Sequence, residues 1–321
     1  MIEIRKFTAT NIEFNEIARV RNLVNHDSID HPEEDQNDWK IRDKSLIRNR
    51  LLLYNDNILI GLLYYVQGRD KNSRTCFFNI VLDPKYHDNG YRELLYQEML
   101  KEIQYFKCNK LYSDIYDHPN YKNHENLLIN HKFKLAQKNR EYFCDITKVD
   151  VKKYRPLIHK LESDGIKFYD SRDQMQNFPN HFQKLEELEW IVEQDIPEPI
   201  GFKPCRTPFK QWKKVILNFY QSSYGVDIVA VKQGKYIGST DIEVFPKSEP
   251  HKGWTCGLGV IREFRRKGIA TALKIKAIEA LLKKGVTELR TDNEENNPMY
   301  KINVALGFKS APFSLTFMKE I

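Results

Sequence analysis

One arrangement of four segments occurs twice in the chain: an apolar strand, a turn that contains a glycine, a helix and a second strand. The first copy lies within residues 77–115 and the second within residues 254–291. Their turn glycines, Gly90 and Gly268, are 178 positions apart, and Leu111 and Leu289 in the second strands are separated by the same distance. A repeat of this length far exceeds the 20–50 residues of solenoid units, so it indicates two duplicated domains.

The length of the chain agrees with this division. Single cores rarely grow beyond about 250–300 residues, and the chain has 321. A basic run around residues 147–155 links the two copies, and we therefore place the domains at residues 1–147 and 150–321. Strands that alternate with helices predict an α/β fold for each domain.

The cysteines and the hydrophobic runs restrict the class of protein. Five scattered cysteines without a Cys-x-x-Cys pair argue against a disulfide framework or a zinc ribbon. The first residues contain no apolar signal core, and no run approaches the roughly 18 apolar residues of a membrane span. We expect a soluble, cytoplasmic protein that does not insert into a membrane.

The positive charge is concentrated in forty residues. Residues 251–290 contain ten Lys or Arg and three Glu, an excess of seven that equals the net charge of the whole chain. A solvated helix face is one explanation for Lys274, Lys276, Lys283 and Lys284. Binding of nucleic acid is a second explanation, and it predicts steeply salt-dependent affinity for DNA or RNA.

The stretch Arg265-Arg266-Lys267-Gly268 differs because a helix begins directly after it. Ile269, Leu273, Ala277 and Leu281 recur every fourth residue and predict an amphipathic helix over residues 269–284 that Gly285 ends. The first N–H groups of a helix have no intrahelical partner, and together with nearby cations they suit a pyrophosphate. Neither nucleotide-binding glycine motif, Gly-x-x-x-x-Gly-Lys-Ser/Thr or Gly-x-Gly-x-x-Gly, is present.

Arg265-x-x-Gly268-x-Ala270 resembles the Arg/Gln-x-x-Gly-x-Gly/Ala signature of the GCN5-related N-acetyltransferase (GNAT) superfamily. A second block, from Thr291 to Met299 and on to Gly307-Phe308, is similar to the next block of that family. The resemblance implies two tandem GNAT-like domains, each with a mixed, mostly antiparallel central sheet flanked by helices. It further implies an acetyl-CoA-dependent N-acetyltransferase that acts on a primary amine by direct attack.

The resemblance also implies which residues bind acetyl-CoA as cosubstrate, with no metal. The backbone of the strand before the turn would polarise the thioester carbonyl, and the turn and the helix start would hold the phosphates. The implied cofactor-binding residues are Leu258, Gly259, Val260, Arg265, Arg266, Lys267, Gly268, Ile269, Ala270, Thr271, Asn293, Asn296, Met299 and Asn303.

The catalytic groups are less strongly indicated. Glu243 and Asp241 alternate on a strand and face the same side, so either could accept a proton from the amine, and we favour Glu243. Asp292 and Glu294 are alternatives for this base. Asn303 stands where the family usually has a tyrosine that protonates the leaving thiolate, so we name Asn303 and Tyr300, one helical turn earlier, as candidates for this step.

The N-terminal copy departs from the signature, with His87 in place of Arg265 and Arg92 in place of Ala270. A long side chain at position 92 would obstruct a phosphate, so we expect residues 1–147 to have a structural or acceptor-side role. The region 194–208, with four prolines, predicts a loop near the acceptor pocket. His26 and His31 most simply belong to a solvated loop rather than to a metal site.

The nature of the acceptor is open between a small-molecule amine and a peptide amine. We expect no nucleic-acid partner, and a homodimer is compatible with the sequence. The alternative function is a non-catalytic acyl-CoA-binding or regulatory protein, because Asn303 in place of a tyrosine is a sign of lost chemistry.

Overall fold

The computed structural model describes residues 1–25, 27–69, 74–87, 89–222, 224–294, 297 and 299–321. The chain divides into two compact units. Unit 1 comprises Met1–Asn139, Glu198–Arg206 and Pro312–Ile321, and unit 2 comprises Arg140–Pro197 and Thr207–Ala311. The compact units are defined by contacts and the duplicated copies by sequence, so the domain boundary at residues 147–150 stays a prediction.

The helices and strands follow one another along the chain in this order: β1 (Ile2–Lys6), α1 (Asn11–Val24), α2 (Pro32–Ile41), β2 (Arg48–Asn55), β3 (Ile58–Gln67), β4 (Thr75–Leu82), α3 (Tyr91–Ile103), β5 (Lys110–Tyr116), α4 (Lys122–Asn130), β6 (Lys134–Asp145), α5 (Arg155–Ser163), β7 (Ile166–Asp170), α6 (Ser171–Asn177), α7 (His181–Glu193), α8 (Phe209–Ser222), β8 (Val226–Lys232), β9 (Lys235–Val244), β10 (Lys252–Val260), α9 (Ile269–Lys283), β11 (Glu288–Glu294), α10 (Tyr300–Ala305) and β12 (Lys309–Glu320).

The sheet of unit 1 has the strand order β1-β2-β3-β4-β5-β12. All these neighbours are antiparallel except β4 and β5, which run parallel. The pairing of β4 with β5 covers only three residue pairs and ends at Phe77–Tyr112, although the strands continue to Leu82 and Tyr116. The two strands therefore diverge and leave a gap.

Unit 2 repeats this arrangement with the order β11-β10-β9-β8-β7. Its one parallel pair, β10 with β11, ends at Trp254–Arg290, whereas the strands continue to Val260 and Glu294. The predicted α/β fold is confirmed: each unit has a mixed, mostly antiparallel sheet with helices against it, and the same gap opens between its parallel strands.

The predicted helix after the basic turn is α9, and its core-facing stripe is as expected. Ile269, Leu273, Ala277 and Leu281 are all fully or almost fully buried. Gly268 is the N-cap in the left-handed region with φ +84°, and Gly285 follows the helix with φ +81°. Both positions suit glycine because a side chain is strained at positive φ.

Some expectations differ from the structure. Residues 32–41 form helix α2, and His31 caps it because its Nδ1 accepts a hydrogen bond from the Glu33 N–H at 3.3 Å. His26 lies outside the described residues. The loop after α7 is present, but its part Glu198–Arg206 belongs to unit 1, where the Phe202 ring lies edge-on to that of Phe77 at 5.5 Å.

The last strand also differs in its place. We assigned residues 314–321 to the C-terminal domain, 150–321, whereas β12 pairs with β5 from Ser314↔Tyr116 to Glu320↔Lys110. Leu315 and Phe317 accordingly lie in the core of unit 1.

Within the part of the chain that the structure describes, we find no helix with the length and apolar character needed to cross a bilayer.

Candidate active site

The gap between β10 and β11 presents the backbone of Leu258, Gly259 and Val260. These residues pair with β9 on one side only, opposite Thr240, Ser239 and Gly238. The register of β10 with β9 shifts between Thr255 and Gly257, so the strand is irregular where its glycines lie. A bulge of this kind re-aims the following backbone groups, and it does so at the mouth of the gap.

The N-terminus of α9 opens beside this strand. Its first turn holds no acidic residue, and no side chain caps its N–H groups. Ile269, Ala270 and Thr271 therefore offer uncompensated donors, and the exposed side chains of Arg266 and Lys267 add positive charge. This donor set fits the anionic pyrophosphate of acetyl-CoA.

Gly268 is required for a second reason besides its positive φ. A Cβ atom at this position would lie 2.7 Å from Leu157 Cδ1, so α5 packs directly against the turn. The group that packs closely against Gly268 is thus the side chain of Leu157.

The Arg265 side chain is bound to the strand before the turn and to Asp195. Its Nε donates to the Val260 carbonyl oxygen at 2.8 Å, and its guanidinium forms an ion pair with Asp195, as does that of Arg262. Hydrogen bonds from Arg262 and then Arg265 lower the pKa of Asp195 to about 2. Asp195, which sequence analysis did not single out, therefore fixes the position of the signature arginine.

A row of carboxylates crosses the sheet next to the bulge. Asp227 on β8 is directly opposite Asp241 on β9, and Asp241 is directly opposite Gly257 on β10. Asp241 Oδ1 lies 2.5 Å from the place that a Cβ atom on Gly257 would occupy, so it touches the strand at the gap. Glu189 of α7 belongs to the same group, since the charges of Asp241 and Asp227 act on it.

Burial makes these three acids weak. It raises the pKa of Asp227 to about 7, with a further contribution from the charge of Asp241, and it raises the pKa of Asp241 to about 6. The pKa of Glu189 is raised well above its usual range by burial and by the other two carboxylates. Among the described residues, no lysine or arginine forms an ion pair with any of the three. Arg172, on which the charge of Asp227 acts, is itself paired with Asp170, so the row keeps an excess of negative charge.

Hydrogen bonds hold two of these carboxylates in place. The Tyr220 hydroxyl donates to Asp227 Oδ2 at 2.7 Å, and Trp212 Nε1 donates to Glu189 Oε2 at 2.6 Å. Trp212 and Tyr220 thus support the acidic row rather than only filling the core. Sequence analysis missed Asp227 and Glu189, although an aspartate inside the apolar run Val226–Lys232 was a signal for the first.

The structure places Asn303 in a buried network of hydrogen bonds. Asn303 is 2% exposed; its Oδ1 accepts from Lys274 Nζ at 2.5 Å, and its Nδ2 donates to Asn293 Oδ1 at 2.7 Å. Lys274, which we considered as a solvated residue, is 1% exposed, and burial lowers its pKa to about 7. Its ammonium also lies 4.4 Å from the centre of the Phe308 ring.

The remaining predicted residues lie around the gap with less definite roles. Glu243 is half-buried on the same face of β9 as Asp241 and pairs across to Trp254. Tyr300 begins α10 and is 37% exposed, while the Met299 N–H donates to Asn297 Oδ1. Asn296 lies outside the described residues. Asp292 is exposed and Glu294 is half-buried at the end of β11.

In the described residues, we find no group of three or more His, Cys, Asp or Glu side chains arranged to hold a metal ion.

Comparisons with known proteins agree with this geometry. Residues 158–308 match the model of the acetyltransferase (GNAT) family. The chain is 24% identical over 124 residues to N-alpha-acetyltransferase 30 of Schizosaccharomyces pombe, which is 37% of this chain and 73% of that protein.

Two solved structures share the fold over nearly the whole chain. A tandem GNAT protein from the clavulanic acid biosynthesis pathway has a TM-score of 0.78 at 14% identity, with 100% of this chain and 98% of that chain covered. A GCN5-related N-acetyltransferase from Sphaerobacter thermophilus has a TM-score of 0.67 at 16% identity, with 99% and 95% covered. The chain therefore contains a GNAT-family acetyltransferase domain in residues 158–308 and has, over its whole length, the fold of a tandem GNAT protein.

Proposed function

We propose that unit 2 binds acetyl-CoA and transfers the acetyl group to a primary amine of a cationic acceptor by direct attack. The observation that carries this proposal is the row of Glu189, Asp227 and Asp241, which reaches β10 at Gly257 and, among the described residues, forms no ion pair with lysine or arginine, so that it needs positive charge from outside. A protonated amine supplies that charge, and family membership supports the acyl transfer itself.

The residues that would hold acetyl-CoA are those at the gap and at the start of α9. The N–H groups of Ile269, Ala270 and Thr271, with Arg266 and Lys267, suit the phosphates. The backbone from Leu258 to Val260 suits the pantetheine arm and the thioester carbonyl. When bound, acetyl-CoA supplies an acyl group that is activated as a thioester.

Asp241 is the base that this geometry favours. Its carboxylate touches β10 at Gly257, directly before the segment that would hold the thioester. With a pKa of about 6, it is mostly ionised at neutral pH and remains basic enough to accept the proton of the attacking nitrogen. Glu243, two residues away on the same face and favoured by the sequence analysis, stays the alternative.

The C–S bond breaks as the C–N bond forms, and the departing thiolate needs a proton or a positive charge. Lys274, Asn303 and Asn293 form a connected chain of hydrogen bonds, so Lys274 can stabilise negative charge through the amide of Asn303. Tyr300 stays a candidate proton donor. Solvent can also protonate the thiolate, because the corresponding thiol has an ordinary pKa of about 8.5.

The test is release of free CoA from acetyl-CoA in the presence of single amines. The panel contains diamines, polyamines, amino sugars and short peptides with free α-amines; the peptides are included because the similar yeast protein is named as an N-alpha-acetyltransferase. We expect turnover with one or more dicationic amines and weak turnover with monoamines, which carry only one positive charge.

This assay, together with a measurement of acetyl-CoA binding, separates the rival functions. Stoichiometric binding of acetyl-CoA without turnover on any amine supports the non-catalytic acyl-CoA-binding alternative. Absence of acetyl-CoA binding to unit 2 overturns the proposal, as does turnover that prefers acceptors with a negative charge.

A further inference from the structure

Unit 1 contains a cavity of about 200 Å³, partly open to solvent, at the gap between its own parallel strands. Polar side chains from separate elements line it, among them Arg21, Tyr64, Asn79, Arg92, Asp114 and His124. Sites for drug-sized ligands usually span about 300–1,000 Å³, so this cavity suits a small molecule.

The backbone groups at this gap are already occupied. The Ile80 carbonyl oxygen accepts a hydrogen bond from Arg92 at 2.9 Å and lies 3.1 Å from His124 Nδ1. The Ile80 N–H donates to Asn79 Oδ1 at 2.8 Å. Leu258 is the residue of β10 that corresponds to Ile80, so the backbone that we assign to the thioester in unit 2 is blocked in unit 1.

The start of α3 is likewise unsuited to phosphate. Its first turn carries Glu93, whose negative charge occupies the favourable position at a helix N-terminus. We had expected Arg92 to obstruct a phosphate at this position. It does not, because its side chain is buried and points toward β4. The cavity is therefore separate in chemistry from an acetyl-CoA site.

Arg92 brings an uncompensated positive charge to the cavity. It is 6% exposed, its Nε has no hydrogen-bond partner, and no carboxylate of the described residues forms an ion pair with it. Burial lowers its pKa to about 10, which still leaves the guanidinium charged at neutral pH. A buried charge without a partner is costly, so a site of this kind favours an anionic group from outside.

Asp114 brings the opposite charge to the same cavity. Its Oδ1 accepts a hydrogen bond from Thr316 at 2.6 Å, and no lysine or arginine of the described residues forms an ion pair with it. Arg21, by contrast, is compensated by Asp30 at 3.1 Å. The cavity thus presents one cation and one anion, each without a charged partner, on different elements of its wall.

We propose that this cavity binds a small zwitterion of the amino acid class, with the carboxylate at Arg92 and the ammonium group at Asp114. Tyr64 and Asn79 also line the cavity, and Asn79 Nδ2 donates to the backbone oxygen of Asp114 at 2.7 Å. The proposal concerns unit 1 alone and does not depend on the reaction assigned to unit 2. It gives the N-terminal copy a binding function in place of the phosphate site that it lacks.

The test is calorimetric titration of the full chain with each of the twenty standard L-amino acids. Butylamine and butyrate serve as probes that carry only one of the two charges. We expect one or a few amino acids to bind at one site per chain and each single-charge probe to bind at least tenfold more weakly.

Three variants assign the site. Arg92→Met and Asp114→Asn should each lower the affinity at least tenfold, whereas Lys85→Met, which removes an exposed charge in the same unit, should leave it unchanged. Arg92→Met should also melt no lower than the wild type, since it removes an uncompensated buried charge. If it fails to fold, Asp114→Asn decides alone.

Several results overturn the proposal. These are no binding by any amino acid, equal binding by butyrate, and displacement of the amino acid by acetyl-CoA. Binding that is lost in Asp241→Asn and kept in Arg92→Met places the amino acid in unit 2 as an acceptor, and it overturns the proposal equally.

Discussion

At the scale of single residues, Asp241 carries the proposed proton transfer. Asp241→Asn should lower kcat by about 10²–10⁴-fold, the range that general bases contribute. In the wild type, kcat/KM should rise with pH through about 6 as this carboxyl ionises, and the variant should lose that rise. Steady-state kinetics from pH 5 to pH 8 measure both effects.

Glu243→Gln is the matched control, because Glu243 lies on the same strand and the same face. We expect it to keep the pH dependence and most of the activity. The opposite pattern, with the rise lost in Glu243→Gln and kept in Asp241→Asn, would restore Glu243 as the base and remove Asp241 from the reaction.

The lowered pKa of Lys274 predicts how the free energy of unfolding depends on pH. Between pH 7 and pH 10.5 the unfolded chain holds a proton that the folded chain has released, so stability rises with pH across this range. The cost of burying the amine is fully present below pH 7, where it amounts to about 4–5 kcal/mol. Lys274→Met should remove this cost but leave the Asn303 amide oxygen without its donor, which offsets about 1–3 kcal/mol.

Urea unfolding at pH 7 and pH 9.5 measures the effect of Lys274→Met. We expect the variant to be more stable than the wild type at pH 7 and to show a smaller difference between the two pH values. Lys276→Met removes a half-buried lysine whose ammonium lies 3.5 Å from Glu162 Oε1, and it should keep the wild-type dependence of stability on pH. If the free energy of unfolding depends equally on pH in all three proteins, the lowered pKa of Lys274 is contradicted.

The contrast between Gly268 and Lys274 shows what a sequence can predict at this scale. Gly268 was predictable because the turn, the helix start and the need for positive φ are all local. Lys274 was not, because its two neighbours in sequence, Leu273 and Ile275, are also buried, and a helix buried so broadly is defined only by its tertiary surroundings. Asp227 became part of the site only through its cross-strand partner Asp241.

At the scale of elements, the first turn of α9 decides between a phosphate site and an ordinary capped helix. Thr271 of unit 2 corresponds to Glu93 of unit 1, given the separation of 178 positions between the copies. Thr271→Glu should stabilise the helix by about 0.3–1 kcal/mol through its dipole. The same charge should repel the pyrophosphate and weaken acetyl-CoA binding at least tenfold.

Thermal melting and calorimetric titration of Thr271→Glu test this opposition directly. A variant that melts at or above the wild-type temperature and yet loses affinity locates the phosphates at α9. Glu93→Thr is the reciprocal control and should bind no additional acetyl-CoA, since the gap of unit 1 is blocked at Ile80. Unchanged affinity in Thr271→Glu argues against α9 as the phosphate site.

The elements that sequence analysis predicted well are those defined by local periodicity. Helix α9 and strands β9, β10 and β11 lie where their apolar patterns placed them. Helix α2 was missed because its segment is almost wholly polar and none of its residues is buried, so no apolar stripe marks it. Its start is instead defined by the His31 cap and by Pro32 at the first turn.

At the scale of the whole molecule, position along the chain does not determine which core a residue stabilises. The sequence placed residues 314–321 with the C-terminal copy because they follow it directly, but their hydrogen bonds are made with β5. A strand pattern fixes which residues alternate in and out, and it leaves the partner strand undetermined. Only the completed sheet selects β5 as the partner.

Phe317→Ala should therefore destabilise the core of unit 1, although most of that core comes from residues far from position 317 in the sequence. The ring is 7% exposed in the core of unit 1, and its removal should cost about 3–5 kcal/mol. Hydrogen exchange should become faster in β5 and β4, while the backbone amides of β9 and β8 should keep their protection. Leu289→Ala, a fully buried residue in the core of unit 2, is the matched variant and should give the reverse pattern. Faster exchange in β9 and β8 with Phe317→Ala, and none in β5, would place the last strand with the C-terminal copy after all.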